Sequence, residues 1–108
     1  MSFEVFLTDD ASRDLEELVA YISSHDNSSN AIHILDKIEE TISSLADNPD
    51  RGTIPPELRS VGIAEYRELF FKPYRLIFRV IGQNVYIYLI VDGRRDLQTL
   101  LEQRLLRV

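Results

Sequence analysis

Cysteine is absent from the chain, which excludes disulfide bonds and thiolate metal sites. Histidine is scarce: His25 and His33 are the only two. Neither has a second histidine or a close acid pair at ligand spacing on a shared face, so both read as surface residues and no metal is expected. No apolar run approaches the ~20 residues that cross a bilayer. The acidic N-terminal stretch also lacks the pattern of a secretory signal. A cytoplasmic protein without membrane contact is the expectation. No glycine-rich phosphate loop and no nucleophile elbow occurs, so no cofactor is expected. Internal repeats, low-complexity segments and linkers are missing too, which leaves one domain over residues 1–108.

That length supports a single core and no more. The 44% hydrophobic and 28% charged content is ordinary for a globular domain. Net charge is −6 but unevenly spread. Residues 1–50 hold twelve acidic and two basic residues, whereas residues 51–108 hold six acidic and ten basic. An acidic half joined to a basic half suggests two faces with different partners. The alternative is that the acids merely solvate outer helix faces.

The stretch Tyr74–Asp96 organises the chain. Two apolar runs flank Gly82-Gln83-Asn84, a turn signal, and predict a β-hairpin. A two-residue loop at Gln83-Asn84 places Leu76, Phe78 and Val80 on one face with Val85, Ile87, Leu89 and Val91. The opposite face then carries Arg75, Arg79, Tyr86, Tyr88 and Asp92, with Arg75 across from Asp92. An odd-length loop would mix arginines into the aliphatic row and bury unpaired charge.

Ahead of the hairpin, Phe3, Val5 and Leu7 alternate with polar and aromatic neighbours in a short strand. Thr8 or Asp9 caps a helix whose apolar stripe is Ala11, Leu15, Leu18, Val19 and Ile22. After a polar break at residues 25–30, a second helix from about Asn30 to Asp47 carries Ile34, Leu35, Ile38, Ile42 and Leu45. Residues 48–62 form the least regular segment, and a strand follows near Glu65–Lys72. Asp96 caps a last helix with Leu97, Leu100, Leu101 and Leu105 on one side. The expected fold is α+β: an antiparallel two-helix hairpin on one face of a mostly antiparallel four-stranded sheet (βααβββ), with a short C-terminal helix. The arginine-bearing face stays open, or is partly covered by that last helix.

Arg75, Arg79, Arg94 and Arg95 converge on this face or its rim, with Arg67 adjoining. Clustered guanidiniums recognise phosphate or carboxylate through forked hydrogen bonds. Tyr86 and Tyr88 would stack on bases or anchor a protein interface. A solvated face laced with ion pairs such as Arg75–Asp92 and Arg95–Asp96 is the competing account. The leucines of the last helix, with Leu106 and Val108, either close over the sheet or form a partner-binding patch.

Several of these segments resemble the RelE/ParE superfamily of type II toxins, its ParE-like branch in particular. They are Ala11…Asp14-Leu15, Asn48-Pro49-Asp50-Arg51-Gly52, Tyr74-Arg75-Leu76-Ile77-Phe78 and Val91-Asp92-Gly93-Arg94-Arg95-Asp96. The resemblance implies a growth-arresting toxin of a plasmid-stabilising pair, neutralised by a cognate antitoxin that wraps a helix and an extended segment around it, at the helical hairpin or at a groove or sheet edge. Leu97, Leu100, Leu101 and Leu105 are the residues expected to bind that antitoxin. The resemblance offers two targets. ParE-like members bind DNA gyrase; RelE-like members are endoribonucleases that cut messenger RNA on the ribosome. The first implies target contact through Arg75, Arg79, Tyr86, Tyr88, Arg94 and Arg95. The second implies catalysis by Arg75, Arg94, Arg95 and Asp92, but the chain has no Tyr, His or Lys in its last helix to complete an acid/base pair. A non-enzymatic gyrase inhibitor is therefore favoured. A homodimer and a toxin–antitoxin hetero-oligomer both stay open.

Overall fold

The computed structural model describes residues 2–105; Leu106 and Val108 lie outside that range. Its elements run β1 (Glu4–Leu7), α1 (Asp9–His25), α2 (Ser28–Ser44), α3 (Pro56–Arg59), β2 (Arg67–Phe71), β3 (Tyr74–Ile81), β4 (Asn84–Asp92) and α4 (Leu97–Leu105). The sheet order is β1-β4-β3-β2. β1 lies parallel to β4, and the other pairs are antiparallel. This is the expected α+β architecture. Among the described residues, no helix is long and apolar enough to cross a membrane.

Local chemistry sets the helix ends. The Thr8 hydroxyl accepts from Ala11 N, and the Asn27 side chain accepts from Asn30 N, each satisfying one otherwise orphaned helix N–H. Asp26 and Asn27 are all that separates α1 from α2, so α2 starts earlier than the periodicity suggests. Their apolar stripes bury Ala11, Ile22, Ala31 and Ile38. These helices cover Leu76, Phe78, Val85, Ile87 and Ile90 on one sheet face.

The hairpin differs from expectation in two ways. Its loop is Gly82-Gln83, because Ile81 pairs with Asn84. Gly82 takes φ +61, a left-handed conformation that glycine adopts without steric cost. The two-residue slip preserves facing, so Val80 and Phe78 still lie beside Val85 and Ile87. Further on, Phe78 pairs with Ile87 but Ile77 pairs with Leu89, leaving Tyr88 as an extra residue. This β-bulge flips the remainder of β4 to the other face. Leu89 and Val91 therefore leave the helical-hairpin side and Ile90 replaces them.

The flipped residues build a second core. Ile77, Leu89 and Val91 pack with Leu58 of α3 and with Leu97 and Leu101 of α4. The short helix α3, opened by Pro56 at its first position, was not legible in the irregular segment. The second face is thus closed over its middle and open only towards the hairpin tip. Leu101→Ala should lower stability by about 2–5 kcal/mol, the range for truncating a buried leucine. Phe70→Ala, at a residue 56% exposed, should cost far less; denaturant unfolding of both variants checks the contrast.

Candidate functional site

The bulge also re-pairs the arginines. Arg75 stands opposite Val91, and Tyr74 stands opposite Asp92; the expected Arg75–Asp92 pair does not form. Instead Arg75 is buried between two glutamates. Its Nε donates to Glu68 Oε1 at 2.7 Å, and Nη1 and Nη2 donate to the two oxygens of Glu57 at 2.9 and 3.0 Å. The Phe70 ring lies over the guanidinium at 5.6 Å. Gly93 leaves room for the arginine stem, since a Cβ there would sit 3.0 Å from Arg75 Cδ. The fork that could grip an external phosphate is thus already filled from within.

The two glutamates respond oppositely. The hydrogen bond from Arg75 holds the Glu57 carboxyl below its ordinary value. Burial pushes Glu68 up despite the same arginine. Glu57 comes from α3 and Glu68 from β2, so one guanidinium ties the irregular segment to the sheet.

Arg79, Tyr86 and Tyr88 do come together, on the open end of that face. Arg79 pairs with Tyr86 across the strands and lies 5.7 Å over the ring of Tyr66. Tyr66 meets Tyr88 edge-on at 5.4 Å, and Phe6 stacks on Tyr86 at 5.6 Å. Phe6 is 42% exposed. Phe6, in β1, and Tyr66, just ahead of β2, were missed because the places of those strands in the sheet were not readable from alternation alone.

Arg94 and Arg95 lie elsewhere, in the turn that follows the end of β4 at Asp92. Arg94 donates through Nε and Nη2 to both oxygens of Asp92, with Nε to Oδ1 at 2.9 Å. That contact holds the Asp92 carboxyl below its usual range. Both arginines line a cavity of about 460 Å³ with Leu18, Tyr21, Tyr74 and Ile90. Asp96 accepts from Thr99 N and Oγ1, as a cap, and not from Arg95. Arg67 turns to the carbonyls of Asp50 and Gly52.

Leu97 and Leu101 are 3% and 1% exposed within the second core, and Leu100 and Leu105 pack against it. Leu97 and Leu101 thus close over the sheet, whereas Leu100 and Leu105 stay half-buried. His25 and His33 are exposed on the helices, and the described residues contain no group of three or more His, Asp or Glu side chains able to hold a metal ion.

A two-helix hairpin on this sheet, with a C-terminal helix over its other face, is the RelE/ParE toxin architecture. The family described as ParE toxin of type II toxin-antitoxin system, parDE, matches residues 5–97, and the chain belongs to that family. The fold is similar to a solved structure described as the chromosomal ParDE system of P. aeruginosa, with TM-score 0.69, 20% identity, and coverage of 84% of this chain and 96% of that one. It is also similar to the RelBE2 toxin-antitoxin complex of Mycobacterium tuberculosis, with TM-score 0.61, 21% identity, and coverage of 85% and 92%. No curated protein matches the chain in sequence.

Arg75→Ala should destabilise the fold by about 3–5 kcal/mol, because it strands two carboxylates beside the second core. The pH dependence has a defined sign. Glu57, with its lowered folded pKa, contributes stability that is present above its ordinary value of 4.5 and lost as pH falls through the lower folded value. Glu68, with a raised folded pKa, acts in reverse: its penalty is relieved as pH falls through that higher value. Glu57→Gln should therefore flatten the stability loss below about pH 4.5, whereas Glu68→Gln should leave it in place. Thermal unfolding across pH 3–7 would check this; equal effects of the two variants would contradict it.

Proposed function

We propose that this protein is a growth-inhibiting toxin that binds DNA gyrase and is neutralised by a cognate antitoxin. Membership of the ParE toxin family supports the toxin reading. The engagement of Arg75 is the observation that favours binding over RNA cleavage. A ribonuclease needs a free cation for the phosphorane charge and a group to move the 2′-OH proton. Arg75 is spent on Glu57 and Glu68. Asp92, the one base among the candidates, has its base strength reduced by Arg94, which leaves the exposed Arg95 without a partner for proton transfer.

The target contact in this reading is the aromatic patch of Phe6, Tyr66, Arg79, Tyr86 and Tyr88. Its chemistry favours a protein over a nucleic acid. Tyrosine and arginine dominate the residues that carry protein–protein binding energy. A nucleic-acid groove needs several cations to displace phosphate counterions, and among the described residues Arg79 is the one cation over a ring of this cluster.

Arg79→Ala combined with Tyr86→Ala should weaken gyrase binding at least tenfold while leaving the unfolding midpoint nearly unchanged, since both side chains are only half-buried. Binding would be read with purified gyrase. A folded double variant of unchanged affinity would move the contact elsewhere. Cleavage of ribosome-bound mRNA by the wild type, with normal gyrase supercoiling, would replace the reading with an endoribonuclease.

A further inference from the structure

The cavity of about 460 Å³ lies between α1 and the end of β3 and β4 that is remote from the hairpin tip. It takes no part in the proposed target contact. Tyr74 and Ile90 come to its wall from the strands, and Glu17, Leu18 and Tyr21 from α1. Small-molecule sites span ~300–1,000 Å³, so this volume suits a small ligand.

Much of the charge on the wall is already engaged. Asp14 is paired with Arg104 at 2.7 Å and accepts from Ile90 N at 3.1 Å. Asp92 is held by Arg94, whose Nε donates to Oδ1 at 2.9 Å. Two charged side chains are left over. Among the described residues, Glu17 and Arg95 form no side-chain hydrogen bond and no ion pair. Each acts on a neighbour only through its field, Glu17 on Arg104 and Arg95 on Asp92. Both are exposed, so a ligand reaches them without breaking an internal contact.

Tyr74 is the unusual member of the wall. It is 9% exposed and its ring stacks on Phe71, yet its hydroxyl makes no hydrogen bond with any described residue. A buried tyrosine hydroxyl ordinarily finds a partner. No fully buried side-chain polar atom among the described residues lacks one, so this hydroxyl is open to the cavity and not sealed in the core. Tyr74 stands opposite Asp92 in the ladder, and Asp92 and Arg94 both act on its phenol. Burial, and then Asp92, push that phenol above its ordinary value, so it keeps its proton and donates.

A lone anion in the cavity would meet Glu17, and a lone cation would meet Arg95. A molecule carrying both charges satisfies each of them. We propose that this cavity binds a small zwitterion with an apolar side chain, an amino acid or a dipeptide. Its carboxylate meets Arg95 and the Tyr74 hydroxyl, its ammonium meets Glu17, and its side chain rests on Leu18 and Ile90. The forked guanidinium gives the carboxylate contact its direction. The inference stands on the cavity alone and holds whether or not gyrase is the target.

The test is calorimetric titration of the full chain with L-phenylalanine and with L-leucyl-L-phenylalanine. Saturable binding is expected, and the tighter of the two identifies the source of the zwitterion. Acetylating its amine or amidating its carboxylate removes one charge and should weaken binding at least tenfold. Glu17→Gln should weaken the free ligand and leave its acetylated form unaffected. Tyr74→Phe should weaken binding about tenfold, the worth of a hydrogen bond to a charged group. Its unfolding midpoint should not change, because the hydroxyl has no partner within the fold. No saturable binding of either ligand would overturn the proposal, as would unchanged affinity in a folded Tyr74→Phe variant. Equal binding of a dipeptide blocked at both ends would also overturn it and assign the cavity to a polypeptide segment.

Discussion

The extra residue at Tyr88 is the constraint on which the rest of the molecule depends. Before it, β4 sends Val85 and Ile87 into the helical hairpin; after it, the same alternation sends Leu89 and Val91 to the other side. A regular strand would have left one face wholly apolar and the other mostly polar, with Ile77 and Ile90 its aliphatic residues. With the bulge both faces are apolar in part, and each requires a cover. α1 and α2 supply one, and the smaller α3 and α4 supply the other. The flip also releases Ile90 N–H towards α1, where Asp14 meets it.

Arg75 illustrates how packing overrides a local reading. Facing Val91 and not Asp92, it lies beneath α3 at the border of the second core, where an unpaired guanidinium would be costly. Glu57 and Glu68 resolve that cost, and in doing so they make the arginine a tie between a loop and a sheet. A side chain whose chemistry suits a substrate phosphate becomes part of the scaffold. In the proposed reading, the surface left for a target is the ring cluster towards the hairpin tip.

The element order, both long helices, the hairpin and the capping of α4 by Asp96 were legible because each has a local signal: periodicity, a cap or a turn. The closeness of Arg79, Tyr86 and Tyr88 was legible too, since it depends only on facing near the turn, which the loop slip from Gln83-Asn84 to Gly82-Gln83 leaves intact. The bulge was not legible. Tyr86-Ile87-Tyr88-Leu89-Ile90-Val91 alternates well enough in a single register, and only the second core distinguishes the two. Two outcomes downstream of it followed: the partner of Arg75 and the burial of Leu97 and Leu101. α3 was invisible for another reason, since four residues after a proline pair carry no periodicity.

The central claim is that Arg75 holds the fold together and the target is met elsewhere. Buried ion triads can be replaced by apolar residues of similar size without loss of folding. The most direct measurement is therefore growth arrest and gyrase binding by the triple variant Arg75→Met, Glu57→Met, Glu68→Met. Folding with both activities retained is the predicted result. A folded triple variant that no longer binds gyrase or arrests growth would contradict the account and return Arg75 to the functional surface.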